Sequence, residues 1–137
     1  AGTVSNLIWG AIGDRKGFRM VFLLATGLWI TATLALLAFT GLTVLLVVFA
    51  GIGAAVQGFQ NASMNLTLEF GNREDLPLRI AVANTASEFA GTLAPLAGGF
   101  IAASFGYPAV FVISVAFLLT GTSMVMFKVA EPRHQQN

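Results

Sequence analysis

No cysteine occurs among the 137 residues, so no disulfide constrains the chain and no thiolate is available as nucleophile or metal ligand. There is one histidine, His134, in a polar tail. Clustered His or Cys ligands are therefore absent, and neither a metal nor any other cofactor is expected. The sequence holds no glycine-rich phosphate loop and no nucleophile–base pair suited to an intramembrane protease, so no enzymatic activity is expected. Charge is scarcer still. Only 9% of residues are charged, against roughly 25% in soluble domains. A solvated surface cannot be built from so few charges, and a net charge of +1 gives no footprint for nucleic acid.

What is present is apolar. Hydrophobic residues make up 56% of the chain, mean hydropathy is +0.82, and there are twelve Phe and fifteen Gly. Bulky Phe suits a lipid-facing surface, and glycine lets helices approach closely. The expected class is an all-α integral membrane protein whose first partner is the lipid bilayer.

The charges that do occur are grouped. A compact polar stretch, Gly10 to Arg19, carries Asp14, Arg15, Lys16 and Arg19. Residues 1–12 before it are apolar but only about 18 Å long at ~1.5 Å per residue, against a hydrocarbon core of ~30 Å. They have no positive flank and no small-residue cleavage pattern, so they do not form a signal peptide. They read as the end of a helix that starts upstream, which makes the chain part of a longer protein.

Four spans of sufficient length follow. Residues 20–39 hold no charge beyond the loop. Thr26, Thr31 and Thr33 can bond to the helix's own carbonyls there, and Trp29 suits lipid contact. Residues 43–69 show three faces. Gln57, Asn61, Asn65 and Glu69 recur every four residues and so share one face, with Gln60 and Met64 beside them. Ala50, Ala54, Gly58 and Ala62 form a stripe of small residues. Ile52, Val56 and Phe59 are left for lipid. A second charged loop, with Arg73, Glu74 and Asp75, precedes Pro77. Residues 78–105 place Asn84, Glu88 and Thr92 on one face. Ala86, Ala90, Ala94, Gly98 and Ala102 form another small stripe, where close approach of a second helix is expected. Pro95 predicts a kink at mid-span. Gly106 and Pro108 make a turn, then residues 109–127 form the last span. Residues 128–137 are a polar tail.

Four spans after the Asp14 loop put that loop, the Arg73 loop and the tail on one side. All seven Lys and Arg lie on that side. Random placement would give this less than ~2% of the time, and the positive-inside rule makes the side cytoplasmic.

The loop resembles the signature loop of the major facilitator superfamily of transporters, roughly Gly-x-Leu-Ala/Gly-Asp-Arg-x-Gly-Arg-Arg/Lys. Gly10, Gly13, Asp14, Arg15, Gly17 and Arg19 match. Ile12 replaces Leu, and Phe18 stands where the first basic residue usually stands. The run Ala90 to Gly99, with Gly91, Pro95, Gly98 and Gly99, is similar to the family's Gly-x-x-x-Gly-Pro-x-x-Gly-Gly helix motif, with Ala90 and Ala94 in place of two glycines. The Gly106–Tyr107 turn and the Glu131-Pro132-Arg133 tail resemble the C-terminal end of many members. The resemblance implies a fragment of a twelve-helix fold, from the end of helix eight through helix twelve: a partial helix plus four full ones. It also implies secondary transport of a small solute by alternating access, with the N-terminal half of the same chain as partner and a bacterial inner membrane as location. The Asp14 loop would act as a cytoplasmic latch on that half. Efflux by antiport is the mild preference, on the Pro95 motif.

Glu88 is the one acid deep inside a span, away from the ends where Glu69 and Arg79 lie, and no Lys, Arg or His lies at its depth in this sequence to pair with it. At that depth its carboxyl pairs with a group outside this sequence, faces water or keeps its proton. Glu88 is the candidate for proton coupling. Asn84, Gln57, Gln60 and Asn61 are candidates for lining a solute pocket, or for bonding helix to helix. The rival readings are a self-contained four-span protein, such as a small multidrug pump working as a dimer, and a non-transporting assembly protein.

Overall fold

A computed structural model describes residues 2–69 and 75–128. Among these residues five helices run in order: α1 (Gly2–Lys16), α2 (Phe18–Ala38), α3 (Leu42–Glu69), α4 (Leu76–Phe105) and α5 (Tyr107–Lys128). No strand occurs among the described residues. Helices α2 to α5 are long and apolar enough to cross a membrane. The chain is an all-helical membrane protein. Arg73, Glu74 and the tail after Lys128 lie outside the described residues.

The polar stretch at 10–19 is less of a loop than its composition suggests. Helix α1 continues through Asp14, Arg15 and Lys16, and the reversal is made at Gly17 alone. Its φ of 85° is left-handed, a conformation glycine reaches without steric cost. The Gly17 N–H closes α1 by donating to the Gly13 carbonyl at 2.9 Å. Phe18 turns back over α1, and a side chain on Gly13 would overlap its ring. Phe18, the departure from the family's pattern, thus fills the space that Gly13 leaves. Gly106 makes a similar one-residue break between α4 and α5, with φ 81° and its N–H on the Ala102 carbonyl. Pro77 opens α4 from within its first turn.

Packing is centred on α2. It lies most extensively against α3 and also meets α5 and α1. Its buried face comprises Phe18, Val21, Ala25, Thr26, Ala32 and Thr33. A hydroxyl on such a face must bond within its own helix. Thr26 donates to the Phe22 carbonyl and Thr33 to that of Trp29, at 2.8 and 2.9 Å. The small stripe of α3 is where three helices converge. Trp9 of α1 lies over Gly58, and a Cβ there would fall 2.7 Å from the indole and 2.9 Å from the Ala25 methyl. The indole N–H donates to the Ala54 carbonyl at 2.8 Å. Ala55 and Ala62 are fully buried.

One expectation needs correction. Phe59 does not face lipid. Its ring packs on Phe22 at 5.2 Å and edge-on to Trp29 at 6.2 Å, because three aromatic rings from adjacent helices gain more from each other than from acyl chains of equal apolarity. The small stripe of α4 meets no close helix among the described residues. Gly91, Gly98 and Gly99 have nothing within 4 Å of a Cβ position, and α4 has no buried residue. Helix α4 touches α5 and, sparingly, α3.

The convergence at Gly58 gives a direct prediction. Gly58→Ala should lower stability by about 1–3 kcal/mol through overpacking, read as a fall in melting temperature of the detergent-purified protein. Gly53→Ala, in open space, should melt at or above the parent temperature. Equal behaviour of the two variants contradicts this packing.

Candidate functional site

The candidate site residues lie on α3 and α4, and the structure sorts them into three groups. Between α2, α3 and α4 lies a cleft of about 540 Å³. Gln60 enters it from α3 and Asn84 from α4, with Ser63 and Ser87 beside them. Trp29 and Phe59 form its aromatic wall. The side chains of Gln60, Asn84 and Ser87 have no hydrogen-bond partner among the described residues. The Thr67 hydroxyl, also in the cleft, is already used on the Ser63 carbonyl at 2.8 Å.

Glu88 lies one turn beyond Asn84, in a second groove on the surface of α4. That groove measures about 520 Å³ and is bounded by Asn84, Thr85, Phe89, Thr92 and Leu93. Thr85 and Thr92 spend their hydroxyls on α4's own carbonyls. The Glu88 carboxyl has no partner among the described residues. It is twelve residues into a thirty-residue helix, roughly 18 Å along at ~1.5 Å per residue. Among the described residues, Asn84 alone borders both cavities.

Asn61 falls elsewhere. Its amide donates to the Asn6 side chain of α1 at 2.9 Å, and Asn65 donates to the Asn61 carbonyl at 2.8 Å. Asn61 therefore joins α3 to α1, on a different face from the Gln60–Asn84 cleft. Gln57 is half-buried and lines neither cavity. The four-residue row that begins at Gln57 is conspicuous in sequence because amides stand out in an apolar span. The row that lines the cleft, Val56, Gln60, Ser63 and Thr67, steps by four, three and four along one helical face with less conspicuous residues. Trp29 lies between Leu28 and Ile30, and an aromatic ring in such a run has the same signature whether it meets lipid or another ring.

Near the start of α2, Arg19 donates from Nη2 to the Met126 carbonyl at 2.7 Å. The last carbonyls of a helix have no intrahelical partner and carry partial negative charge, so a guanidinium there both bonds and neutralises. The contact places the start of α2 and the end of α5 at one end of the bundle. Asp14, Arg15 and Lys16, exposed on the last turn of α1, lie next to it in the chain. Gly10 has open space around its Cβ position. Among the described residues no three acidic, His or Cys side chains come together as a metal site.

A polar cleft and an unpartnered acid, both within apolar helices of spanning length, are features of a solute carrier. The family model of the Major Facilitator Superfamily matches residues 1–137, and the chain belongs to that superfamily. It is a family of secondary transporters rather than of enzymes. No curated protein and no solved structure matches the chain.

The Arg19 contact should be visible in hydrogen exchange. Arg19→Gln should cost the last turn of α5 about 0.3–1 kcal/mol, a roughly two- to fivefold faster amide exchange confined to that turn. Unchanged exchange there would show that the guanidinium does not hold the helix end.

Proposed function

We propose that the chain is the C-terminal part of a proton-coupled secondary transporter, from the end of helix eight through helix twelve, working by alternating access. The observation that carries this reading is the Glu88 carboxyl, which has no partner among the described residues and stands midway along a membrane helix. An ionisable group in that position is costly in lipid and calls for water, a counter-charge or a proton. A carboxyl that gains and loses a proton as its surroundings change sides is a coupling group.

Asn84, shared by the Glu88 groove and the cleft, is the natural link between the proton and the solute. A solute amide or carbonyl bonded to Asn84 and Gln60 would sit one helical turn from Glu88. The face of α4 that bears Glu88, and the small stripe around Gly91, Pro95, Gly98 and Gly99, would be covered by the other helices of a twelve-helix carrier. In this reading the N-terminal half is the mechanical partner, and the polar end bearing Asp14, Arg15 and Arg19 is cytoplasmic. Asp14 would act there as a latch, with Gly10 giving the opposing helix room. The location would be a bacterial inner membrane. Export in exchange for protons fits the Pro95 motif.

The test is made on the intact transporter in proteoliposomes, across a panel of small neutral solutes. Glu88→Gln should reduce flux driven by a pH gradient at least about tenfold, while solute exchange without a gradient stays within about twofold. Undiminished gradient-driven flux would remove Glu88 from coupling.

A further inference from the structure

The cleft between α2, α3 and α4 also bears on what is carried. We infer that it binds an uncharged amphipathic molecule with a flat, aromatic or conjugated body and a hydrogen-bonding edge. This deepens the proposed transport reading and rests on it for the role of the bound molecule, although binding itself is tested separately.

The lining carries no charge. Twelve described residues bound the cleft, and none is Asp, Glu, Lys, Arg or His. A charged ligand would give up its hydration and find no counter-charge among the described residues, which disfavours it in a low-dielectric site. The Glu88 carboxyl does not supply one, because it borders the other groove and not this one. The apolar wall is already ordered. Trp29 and Phe59 meet edge-on at 86°, and Phe59 is held from behind by Phe22. A fixed aromatic pair favours a planar apolar body that can stack or meet it at an edge.

The opposite side is polar but neutral. Gln60 and Asn84 each offer an amide donor and an amide acceptor with no protein partner among the described residues, and Ser87 adds a hydroxyl. Such groups bind amide, carbonyl or hydroxyl edges and select against a purely hydrocarbon occupant, which would leave them unsatisfied. A volume of about 540 Å³ lies within the ~300–1,000 Å³ typical of small-molecule sites. A lipid acyl chain would fit the aromatic wall but not the amides.

Two dye pairs make the test. N-phenyl-1-naphthylamine is neutral, presents a flat naphthyl ring and carries one N–H, and 1-anilinonaphthalene-8-sulfonate is the same body with an anionic group. Diphenylhexatriene is a neutral hydrocarbon, and its trimethylammonium derivative is cationic. Binding to the intact protein in detergent is read by energy transfer from tryptophan, corrected with Phe117→Ala, which alters an exposed position on α5. The neutral amine should bind saturably, and the sulfonate and ammonium dyes at least about tenfold more weakly. The double variant Gln60→Leu, Asn84→Leu should weaken the amine at least about fivefold and leave or improve diphenylhexatriene, and Phe59→Ala should weaken both.

Equal binding of neutral and charged dyes overturns the inference. So does amine binding indifferent to the loss of both amides, the result expected of a lipid-filled crevice. Melting temperatures of the variants within a few degrees of the parent exclude loss of fold as the cause. Failure of Glu88→Gln to uncouple flux would remove the coupling role while leaving these binding results standing.

Discussion

Hydrocarbon offers a polar group nothing to bond to, and this one constraint sorts almost every polar side chain in the bundle. Most answer it locally. Thr26, Thr31, Thr33, Ser114, Thr120, Thr122 and Ser123 all return their hydroxyls to a carbonyl one turn back in the same helix. Trp9 and Asn61 answer it between helices, through the Ala54 carbonyl and the Asn6 side chain. What remains within α3 and α4, away from their ends, is a small set of side chains with no hydrogen-bond partner among the described residues: Gln57, Gln60 and Ser63 on α3, and Asn84, Ser87 and Glu88 on α4, all but Gln57 bordering one of the two cavities. The proposed function rests on the members of that remainder that border the cavities.

Packing density divides the molecule along the same line. Helices α1, α2 and α3 converge on Gly58 at distances that leave no room for a methyl group. Helix α4 has no buried residue and meets α3 only sparingly. The Arg19 contact with the end of α5 ties the far helix to the three-helix block at the charged end.

Much of this is legible in the sequence, for identifiable physical reasons. Spans are readable because a charge-free run of membrane length is rare in a chain that folds in water, and Gly106 with Pro108 marks a turn whose chemistry admits little else. Intrahelical bonding of Thr26, Thr31 and Thr33 follows from four-residue geometry alone. Gly13 and Gly17 can be picked out by the motif, but their separate duties, space for Phe18 and a positive φ, cannot. The site is half legible. Glu88, Asn84 and Gln60 stand out as polar groups in apolar surroundings. Asn61 stands out equally, and only its contact with Asn6 shows that it serves helix packing. Trp29 and Phe59 escape a sequence reading because an aromatic residue in a membrane helix has the same signature whether it meets lipid, a ring or a solute.

Cysteine scanning of the intact protein in membranes, with a membrane-impermeant thiol reagent, measures the central claim, and the chain's own lack of cysteine makes the background clean over these residues. Cysteine introduced at positions 60, 84 and 88 should react at rates well above those at 55 and 62, which lie inside the three-helix block, and above those at 117, on the exposed face of α5. Protection of 60, 84 and 88 in every condition, to the level of 55 and 62, would mean that the unanswered polar groups are dry, and the carrier account would fail.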